Sequence, residues 1–268
     1  MSNSPLGTAV VTGASSGIGA VYADRLARRG YDLILVARDV ARLAALADRL
    51  KAETGRNVDV LQADLTSTAD LTKVEARIAE DVAITLLVNN AGMSLNGGIL
   101  ENDAANLSRI IALNITAPTV LAGAAARAFI ARKAGAIVNI ASVLALTPEM
   151  FDGVYSGTKA YLLNLSLSLA QQGKPAGVYT QAVLPGATRT EIWERSGKDV
   201  EAFPQDMVMD VNDLVDAALR GFDRREEVTI PPLADESLFD AWNNARLALA
   251  PHLSKREVAL RYREVVDA

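Results

Sequence analysis

Cysteine is absent from this chain of 268 residues, and histidine occurs only once, at His252. The absence of cysteine excludes disulfide bonds, thiolate metal sites and cysteine nucleophiles. A lone histidine near the C-terminus is typical of a surface residue, so we expect neither a Ser-His-Asp triad nor a metal site built from several histidines. We therefore predict no metal centre in this protein.

Aromatic residues and excess basic charge are also scarce. Aromatics make up 5% of the chain, whereas half of it is hydrophobic, mostly Ala, Leu, Val and Ile, which suits helices packed on a mostly parallel sheet. The net charge of −5 offers no basic face for nucleic acid. No secretory signal and no uninterrupted apolar run of about eighteen residues is visible. We expect a cytoplasmic protein, with neither nucleic acid nor membrane as partner.

Short apolar strands alternate with helical segments along the chain. The predicted strands are residues 8–11, 31–37, 57–62, 84–88, 136–140, 177–184 and 227–230. This alternation predicts one doubly wound parallel α/β sheet of about seven strands, with helices on both faces. We assign residues 1–268 to a single domain. Within it, 191–268 form a variable substrate region, which comprises a mobile flap at 191–210 and C-terminal helices. We expect 103–133 to be mainly helical, and 234–266 to be helical with a break near Pro251.

The first strand runs into a turn rich in glycine, Thr12-Gly-Ala-Ser-Ser-Gly-Ile-Gly19, and a helix follows. Glycine allows a tight turn in which backbone N–H groups approach a pyrophosphate, and the N-terminus of the helix favours its negative charge. The spacing is Gly-x-x-x-Gly-x-Gly rather than the commoner Gly-x-Gly-x-x-Gly. The turn predicts a nucleotide phosphate site, although an ordinary strand-to-helix loop remains an alternative.

The second predicted strand ends at Ala37 and is followed by Arg38, with Arg42 one helical turn further on. At this place in a dinucleotide fold, a carboxylate binds the ribose 2′-hydroxyl of NAD, whereas an arginine binds the 2′-phosphate of NADP. The missing carboxylate and the adjacent guanidinium favour NADP(H), with NAD(H) as the other possibility. In the alternative interpretation, Asp39 caps the next helix and both arginines are solvated.

A further segment places Tyr155 and Lys159 four residues apart in a predicted helix, so both side chains project from one face. A free tyrosine has a pKa near 10, and a neighbouring positive charge favours the phenolate. We expect Lys159 to lower the pKa of Tyr155 towards the range of a general acid and base. Taken alone, the pair is also compatible with a core aromatic beside a lysine that reaches solvent.

Together these segments resemble the short-chain dehydrogenase/reductase family, in its shorter-chain branch. The resemblance covers roughly residues 6–190 and keeps the family's order. It is carried by Thr12-Gly13 to Gly19, Asp64, Asn89-Asn90-Ala91-Gly92, Asn114, Ser142, Tyr155-x-x-x-Lys159, and Pro185-Gly186 with Thr190. It implies a Rossmann fold that binds NAD(P), an oxidoreductase that interconverts a carbonyl and a secondary alcohol, and a homodimer or homotetramer.

The resemblance also implies catalytic roles. Tyr155 would be the acid and base that gives a proton to the carbonyl oxygen or takes one from the alcohol. Ser142 would hydrogen-bond the same oxygen. Lys159 would hold the nicotinamide ribose and lower the pKa of Tyr155. Asn114 would anchor a water that links Lys159 to solvent.

The cofactor site implied by the resemblance is larger. Asp64 would lie near the adenine, and Asn90 would approach the adenosine side and brace the sheet. Thr190 would contact the amide or the phosphates, while Ser15 and Arg38 would receive the 2′-phosphate. The whole predicted set is Gly13, Ser15, Ser16, Gly17, Ile18, Gly19, Arg38, Asp64, Leu65, Asn90, Ala91, Gly92, Tyr155, Lys159, Pro185, Gly186, Thr188 and Thr190.

Two other functions remain open on the same fold. One is a non-catalytic protein that senses NAD(P) or serves as a scaffold, and the other is a redox-neutral epimerase or dehydratase. For the substrate pocket we expect apolar walls, and hence a substrate with a hydrophobic portion. The predicted wall consists of Met93, Leu95, Val143, Leu144, Met150, Phe151 and Trp193.

Overall fold

The computed structural model describes residues 6–197 and 199–263, and the chain divides into two compact units, Met1–Pro232 and Leu233–Ala268. The first unit contains a seven-stranded sheet. The second contains the helix Ser237–Leu249, within which the rings of Phe239 and Trp242 stack. The assignment of the whole chain to a single domain stays a prediction.

All neighbouring strands of the sheet are parallel, in the order β3-β2-β1-β4-β5-β6-β7. The strands are β1 (Thr8–Thr12), β2 (Asp32–Ala37), β3 (Val58–Gln62), β4 (Ile84–Asn89), β5 (Ala136–Ile140), β6 (Tyr179–Val183) and β7 (Val228–Thr229). The doubly wound α/β prediction is confirmed, and every predicted strand is present. Because the strand order reverses between β1 and β4, a crevice opens at the carboxyl ends of these two strands, where ligands bind in such sheets.

Helices cover both faces of the sheet. The helices of the first unit are α1 (Gly17–Arg28), α2 (Val40–Thr54), α3 (Thr68–Glu80), α4 (Ala104–Ile111), α5 (Ala117–Arg132), α6 (Gly153–Gly173), α7 (Ile192–Arg195) and α8 (Val211–Asp223). The helix of the second unit, Ser237–Leu249, is α9. Leucines and alanines of α1, α2 and α8 form one apolar core with the sheet. Those of α3 and α5 form another on the opposite face, and α6 packs beside α5. Burial of these faces is the main stabilising contribution to the unit.

The predicted helix 103–133 is interrupted by a π-helical turn at Ala112–Thr116, between α4 and α5. Pro118 has no N–H, so the α-helical bond to the carbonyl of Asn114 is missing. Instead, the N–H of Ala117 bonds to the carbonyl of Ala112, five residues back. The stretch Ala104–Arg132 is long and apolar enough to cross a membrane by length and composition alone, but 44% of its most apolar window is buried inside the protein.

The flap at 191–210 is irregular, as expected from its weak periodicity. It holds the short helix α7 and single 3-10 turns at Val200–Ala202 and Gln205–Met207. Its two ends are joined, since the N–H of Arg189 donates to the carbonyl of Met209 at 3.0 Å. Its predicted mobility stays a prediction.

Of the helix predicted over 234–266, the structure has Ser237–Leu249, and the predicted break near Pro251 is confirmed, but no further α-helix follows among residues 253–263. The chain turns at Ala250–His252, where Pro251 interrupts the helical hydrogen bonds, and again at Leu260–Tyr262. Residues 264–266 of that predicted helix lie outside the described residues.

Candidate active site

The chemistry-bearing residues meet at the carboxyl ends of four adjacent strands. The glycine-rich turn follows β1, the Asn89–Gly92 segment follows β4, Ser142 follows β5, and Pro185 follows β6. In the sheet these strands are neighbours, in the order β1-β4-β5-β6. The topology therefore gathers at one edge segments that lie up to about 170 residues apart in the sequence.

Helix α6 brings Tyr155 and Lys159 to this edge. Asp152 caps the helix, because its carboxylate accepts the N–H of Val154 at 2.9 Å and that of Tyr155 at 3.3 Å. Lys159 is buried, and its Nζ lies 5.6 Å from the centre of the Tyr155 ring and donates to the carbonyl of Ile140 at 2.9 Å. The structure thus places the two side chains together, as their spacing predicts.

The pKa values of this pair are governed by burial. Burial raises the pKa of Tyr155 to about 12, and a hydrogen bond with the Ser142 side chain lowers it only in part. Burial lowers the pKa of Lys159 to about 8, because the charged amine loses its hydration. The expected net lowering of the Tyr155 pKa is therefore wrong for the protein alone, because loss of solvation is the largest effect on the phenol.

The Ser142 hydroxyl is fixed between two backbone segments. The side chain is buried directly after β5, and its Oγ lies 3.5 Å from the carbonyl oxygen of Pro185, to which it donates. The N–H of Leu144 donates to the same Oγ at 3.2 Å. These contacts hold the hydroxyl towards the phenol of Tyr155, so two hydroxyl groups converge at one point.

Asn114 lies in the π-helical turn and is almost fully buried. Its Oδ1 accepts the N–H of Met93, and its Nδ2 donates to the carbonyl of the same residue, both at 2.9 Å. Nδ2 also lies 3.1 Å from the Thr158 hydroxyl on α6. A Cβ atom added at Gly92 would lie 3.4 Å from Asn114 Oδ1 and 3.6 Å from Lys159 Nζ, so both polar groups border the same space. The expected water-mediated role of Asn114 stays a prediction.

The glycine-rich turn is shaped by close backbone contacts. Gly13 has φ +67°, and a Cβ atom there would come within 2.9 Å of the Ala91 Cα atom. A Cβ atom at Gly19 would come within 2.4 Å of the Gly13 carbonyl oxygen. The Asn90 Nδ2 donates to the carbonyl of Thr12 at 2.9 Å, which ties the turn to β4. Only glycine fits these positions without displacing the backbone.

The residues of this turn fit the pyrophosphate of a dinucleotide. Helix α1 begins at Gly17, no carboxylate lies in its first turn, and among the described residues no side chain caps its first N–H groups. These N–H groups and the helix dipole favour a bound phosphate. Thr190 lies over the turn, since a Cβ atom at Gly17 would be 3.3 Å from its side chain. Ser15, Ser16 and Ile18 complete the loop and are partly exposed.

The adenosine side of the predicted site carries Asp64 and Arg38. Although burial raises the pKa of the Asp64 carboxyl, the N–H and hydroxyl of Thr66 hydrogen-bond to it and hold its pKa below the usual value. Arg38 is exposed directly after β2, and Leu65 is buried. Asp39 does cap α2, because its carboxylate accepts the N–H of Arg42 at 3.0 Å. Arg42, however, is not simply solvated, since it forms an ion pair with Glu191.

On the side of β6, the turn is closed by hydrogen bonds of its own. The carbonyl of Pro185 accepts the N–H of Val143 at 2.9 Å. The Thr188 hydroxyl donates to the carbonyl of Gly186 at 3.0 Å, and the indole N–H of Trp193 donates to the carbonyl of Thr188 at 2.8 Å. The start of the flap is thereby anchored beside the site.

An open cavity of about 470 Å³ lies at the start of α6 and is lined by residues 98–101 and 151–154. The ring of Phe151 packs edge-on against the ring of Tyr155, with 5.9 Å between their centres. Of the predicted pocket wall, Phe151 lines this cavity, whereas Leu95 is buried in the protein and Trp193 packs against Phe203. Apart from Phe151, the predicted wall residues do not line this cavity, and their place in a substrate pocket stays a prediction.

The family model of the short chain dehydrogenases matches residues 7–201. The chain belongs to the short-chain dehydrogenase family. It is accordingly an oxidoreductase of the class that interconverts CH–OH and C=O groups, and it has that family's NAD(P)-binding Rossmann fold.

Similar proteins include several of known structure. A short-chain dehydrogenase from Sphingobium yanoikuyae, solved in complex with NADPH, is 54% identical over 96% of this chain and all of that one, with a TM-score of 0.94. A bulky-bulky ketone specific alcohol dehydrogenase from Comamonas testosteroni is 47% identical over 97% of this chain and 99% of that one, with a TM-score of 0.90. The human 17-beta-hydroxysteroid dehydrogenase type 3 is 33% identical over 69% of this chain, and the match spans only 60% of that protein.

Sequence reasoning missed several residues of this short-chain dehydrogenase site. The Thr12 hydroxyl accepts the N–H groups of Asn90 and Ala91, both at 3.0 Å, and so joins β1 to β4. The sequence signal for this role of Thr12 was its position at the end of a predicted strand, directly before Gly13. Ile99 and Leu100 line the cavity and are exposed, 61% and 91% respectively. The signal in the sequence for Ile99 and Leu100 was a pair of apolar residues directly after two glycines.

Proposed function

We propose that this short-chain dehydrogenase is an NADP(H)-dependent oxidoreductase that interconverts a carbonyl and a secondary alcohol, with Tyr155 as its acid and base. The observation that carries the proposal is the pairing of the Tyr155 and Ser142 hydroxyl groups at the carboxyl edge of the sheet. An open cavity is lined by residues 151–154, directly before Tyr155 in α6. The glycine turn that fits a pyrophosphate lies at the same edge of the sheet.

When bound, the nicotinamide supplies or accepts the hydride. The protein positions the substrate and handles the proton. Ser142 and Tyr155 hold the carbonyl oxygen, and Tyr155 donates its proton to that oxygen as the carbonyl is reduced. A phenol with a pKa of about 12 is protonated at neutral pH, so the resting enzyme is ready for reduction. Lys159 binds the ribose, and Asn114 keeps the amine supplied with protons.

For cofactor choice, we propose NADP(H) over NAD(H). The end of β2 carries Ala37 where a carboxylate would bind an unphosphorylated ribose, and the exposed Arg38 follows it. The similar Sphingobium protein was solved with NADPH, which supports the same preference. The dissociation constants of the protein for NADPH and NADH test this preference. We expect NADPH to bind more tightly, and tighter binding of NADH would refute this part of the proposal. The homomeric assembly and the cytoplasmic location stay predictions.

For the substrate, we propose a ketone with at least one bulky apolar substituent. The cavity of about 470 Å³ has the size of a small-ligand site, and Ile99, Leu100 and Phe151 give it apolar walls. The Comamonas enzyme is described as specific for bulky-bulky ketones, and the human relative as a hydroxysteroid dehydrogenase. Both descriptions fit a wide apolar site.

The decisive experiment follows NADPH absorbance during incubation with a graded panel of ketones, from acetone to ketones with two aryl or polycyclic substituents. We expect oxidation of NADPH with the bulky members and little with acetone. Binding of NADPH without oxidation by any carbonyl would favour the non-catalytic alternative. Conversion of a substrate with no net change in NADPH would favour the redox-neutral one.

A further inference from the structure

The corner predicted to receive the cofactor's 2′-phosphate already contains an anion of the protein itself. Glu191, the first residue of the flap, lies next to Arg42 in the first turn of α2. The Arg42 Nη1 donates to Glu191 Oε1 at 2.9 Å and to Oε2 at 2.8 Å. These residues are 149 positions apart in the sequence, so the pair joins the flap to the end of the second βα unit.

A second guanidinium completes the arrangement. The Arg195 Nη2 lies 2.6 Å from Glu191 Oε2 and 3.3 Å from the Ser16 hydroxyl, to which it also donates. A continuous set of contacts therefore runs from the glycine-rich turn, through α7, to the start of α2. These are the two elements that flank the adenosine ribose in a dinucleotide fold.

The Glu191 carboxylate binds Arg42 in the way that a phosphate would, since both anions present oxygens to the planar fork of a guanidinium. The bond from Arg42, aided by Arg195, holds the pKa of Glu191 below its usual value, so this carboxylate is ionised at neutral pH. The side chains of Arg42 and Glu191 are 49% and 39% exposed. Exposed ion pairs contribute little stability and exchange partners readily, so a stronger anion can displace the carboxylate.

We propose that Glu191 is a specificity-determining residue that competes with the adenosine 2′-phosphate of the cofactor for Arg42. Binding of a phosphorylated cofactor then releases the start of the flap from α2, whereas an unphosphorylated cofactor leaves the pair intact. The proposal rests on the proposed function only in taking NADP(H) as the cofactor. Arg38 and Arg42 attract the 2′-phosphate, and Glu191 limits how tightly it is held.

The test uses two nucleotide fragments without nicotinamide, adenosine 2′,5′-bisphosphate and 5′-AMP, with affinities measured by titration calorimetry. We expect Glu191→Gln to tighten the binding of the bisphosphate about two- to fivefold, the value of one exposed ion pair, and to leave 5′-AMP unchanged. Arg42→Gln weakens the bisphosphate alone. In the Arg42→Gln/Glu191→Gln double variant, the gain from Glu191→Gln disappears, because the two residues act on one another.

The matched control is Glu194→Gln, which removes one negative charge from the same helix at an exposed position without an ion pair among the described residues. We expect it to change neither affinity. The competition is refuted if Glu191→Gln has no effect, tightens both fragments equally, or keeps its gain in the Arg42→Gln background. It is also refuted if Glu194→Gln gives the same gain. Failure of NADPH and both fragments to bind the unaltered protein would instead refute the proposed function.

Discussion

The polar side chains of the predicted catalytic set around α6 are mostly buried and bonded to backbone groups, whereas the charged side chains of the flap are exposed and bonded to one another. Lys159 is 6% exposed, Ser142 7% and Asn114 2%, and each contacts a backbone atom. The flap is held by Arg42 and Glu191, which are 49% and 39% exposed. Burial fixes the positions of the side chains around α6 and shifts the pKa of Lys159, whereas exposure leaves Arg42 and Glu191 free to exchange partners.

This difference in burial suits two different tasks, proton transfer and recognition of the cofactor. Proton transfer needs groups held at a defined distance, which buried side chains with few alternative partners provide. Recognition of a cofactor that binds and leaves needs partners that are exchanged at little cost, which exposed ion pairs provide. We expect substitutions in the α6 region to alter rates and folding, and substitutions in the flap to alter mainly affinities.

The largest effect should follow Tyr155→Phe, which removes the proposed acid and keeps the ring that packs against Phe151. We expect kcat for carbonyl reduction to fall about 10²–10⁴-fold, the usual contribution of a general acid, with the Kd for NADPH unchanged. Steady-state kinetics and a binding titration measure the two quantities.

The matched control for that prediction is Tyr161→Phe, two turns of α6 nearer its end. The Tyr161 hydroxyl shares a hydrogen bond with Thr119 and is partly exposed, so its loss should leave kcat within about twofold. Equal kcat losses in both variants, or normal turnover by Tyr155→Phe, would remove the catalytic role from Tyr155.

Next in size is the loss of stability expected for Asn114→Ala. The variant leaves the part-buried N–H and carbonyl of Met93 without their partner and removes the buried hydrogen bond to Thr158. Buried unpaired groups cost about 1–3 kcal/mol each, and partly buried ones less, so we expect the free energy of unfolding to fall by about 2 kcal/mol in denaturant titrations. For comparison, Glu201→Gln breaks the exposed pair with Arg189 in the flap and should cost less than about 1 kcal/mol. Equal losses would contradict the contrast between the two regions.

Burial of the Lys159 amine predicts a dependence of stability on pH. Its pKa of about 8 in the folded protein is below its usual value of 10.5, so between these pH values the unfolded chain binds more protons than the folded one. Stability from this group therefore rises with pH in that window and is lost as the pH falls towards 8. From pH 8 to 10 the protein should gain about 2 kcal/mol relative to Lys159→Met, whose side chain does not titrate.

The contribution of Tyr155 lies outside this window. Its raised pKa stabilises the fold below about pH 10, and this contribution is lost only between pH 10 and 12. Urea titrations at pH 7, 8, 9 and 10 measure the difference. A constant difference would show that the Lys159 amine titrates in the folded protein as it does in water.

The smallest effect is expected at Gly157, which is exposed on α6 between Tyr155 and Lys159. A Cβ atom added there meets no atom within 4 Å. Alanine costs less backbone entropy than glycine in a helix, so Gly157→Ala should stabilise the protein by about 0.5–1 kcal/mol in thermal unfolding. Destabilisation would mean that the rigid surroundings of α6 extend to its exposed face.

The strands and the shared face of Tyr155 and Lys159 were predictable from the sequence. Continuous apolar runs give buried parallel strands wherever both faces of a sheet are covered, and a spacing of four residues sets a common helix face regardless of what packs against it. The need for glycine at position 13 is in part equally local, because its φ of +67° is a conformation that glycine adopts without strain. Even the π-helical turn had a local signal in Pro118, which removes one helical hydrogen bond.

The pKa of Tyr155, the partner of Arg42 and the walls of the cavity were decided only by the tertiary structure. A pKa depends on how much water the fold removes, and here this removal raises the pKa of Tyr155 more than the hydrogen bond with Ser142 lowers it. The Arg42–Glu191 pair joins residues 149 positions apart, and the cavity combines residues 98–101 with 151–154. Local pattern carries no information about such contacts, because they form only when the sheet brings distant loops to one edge.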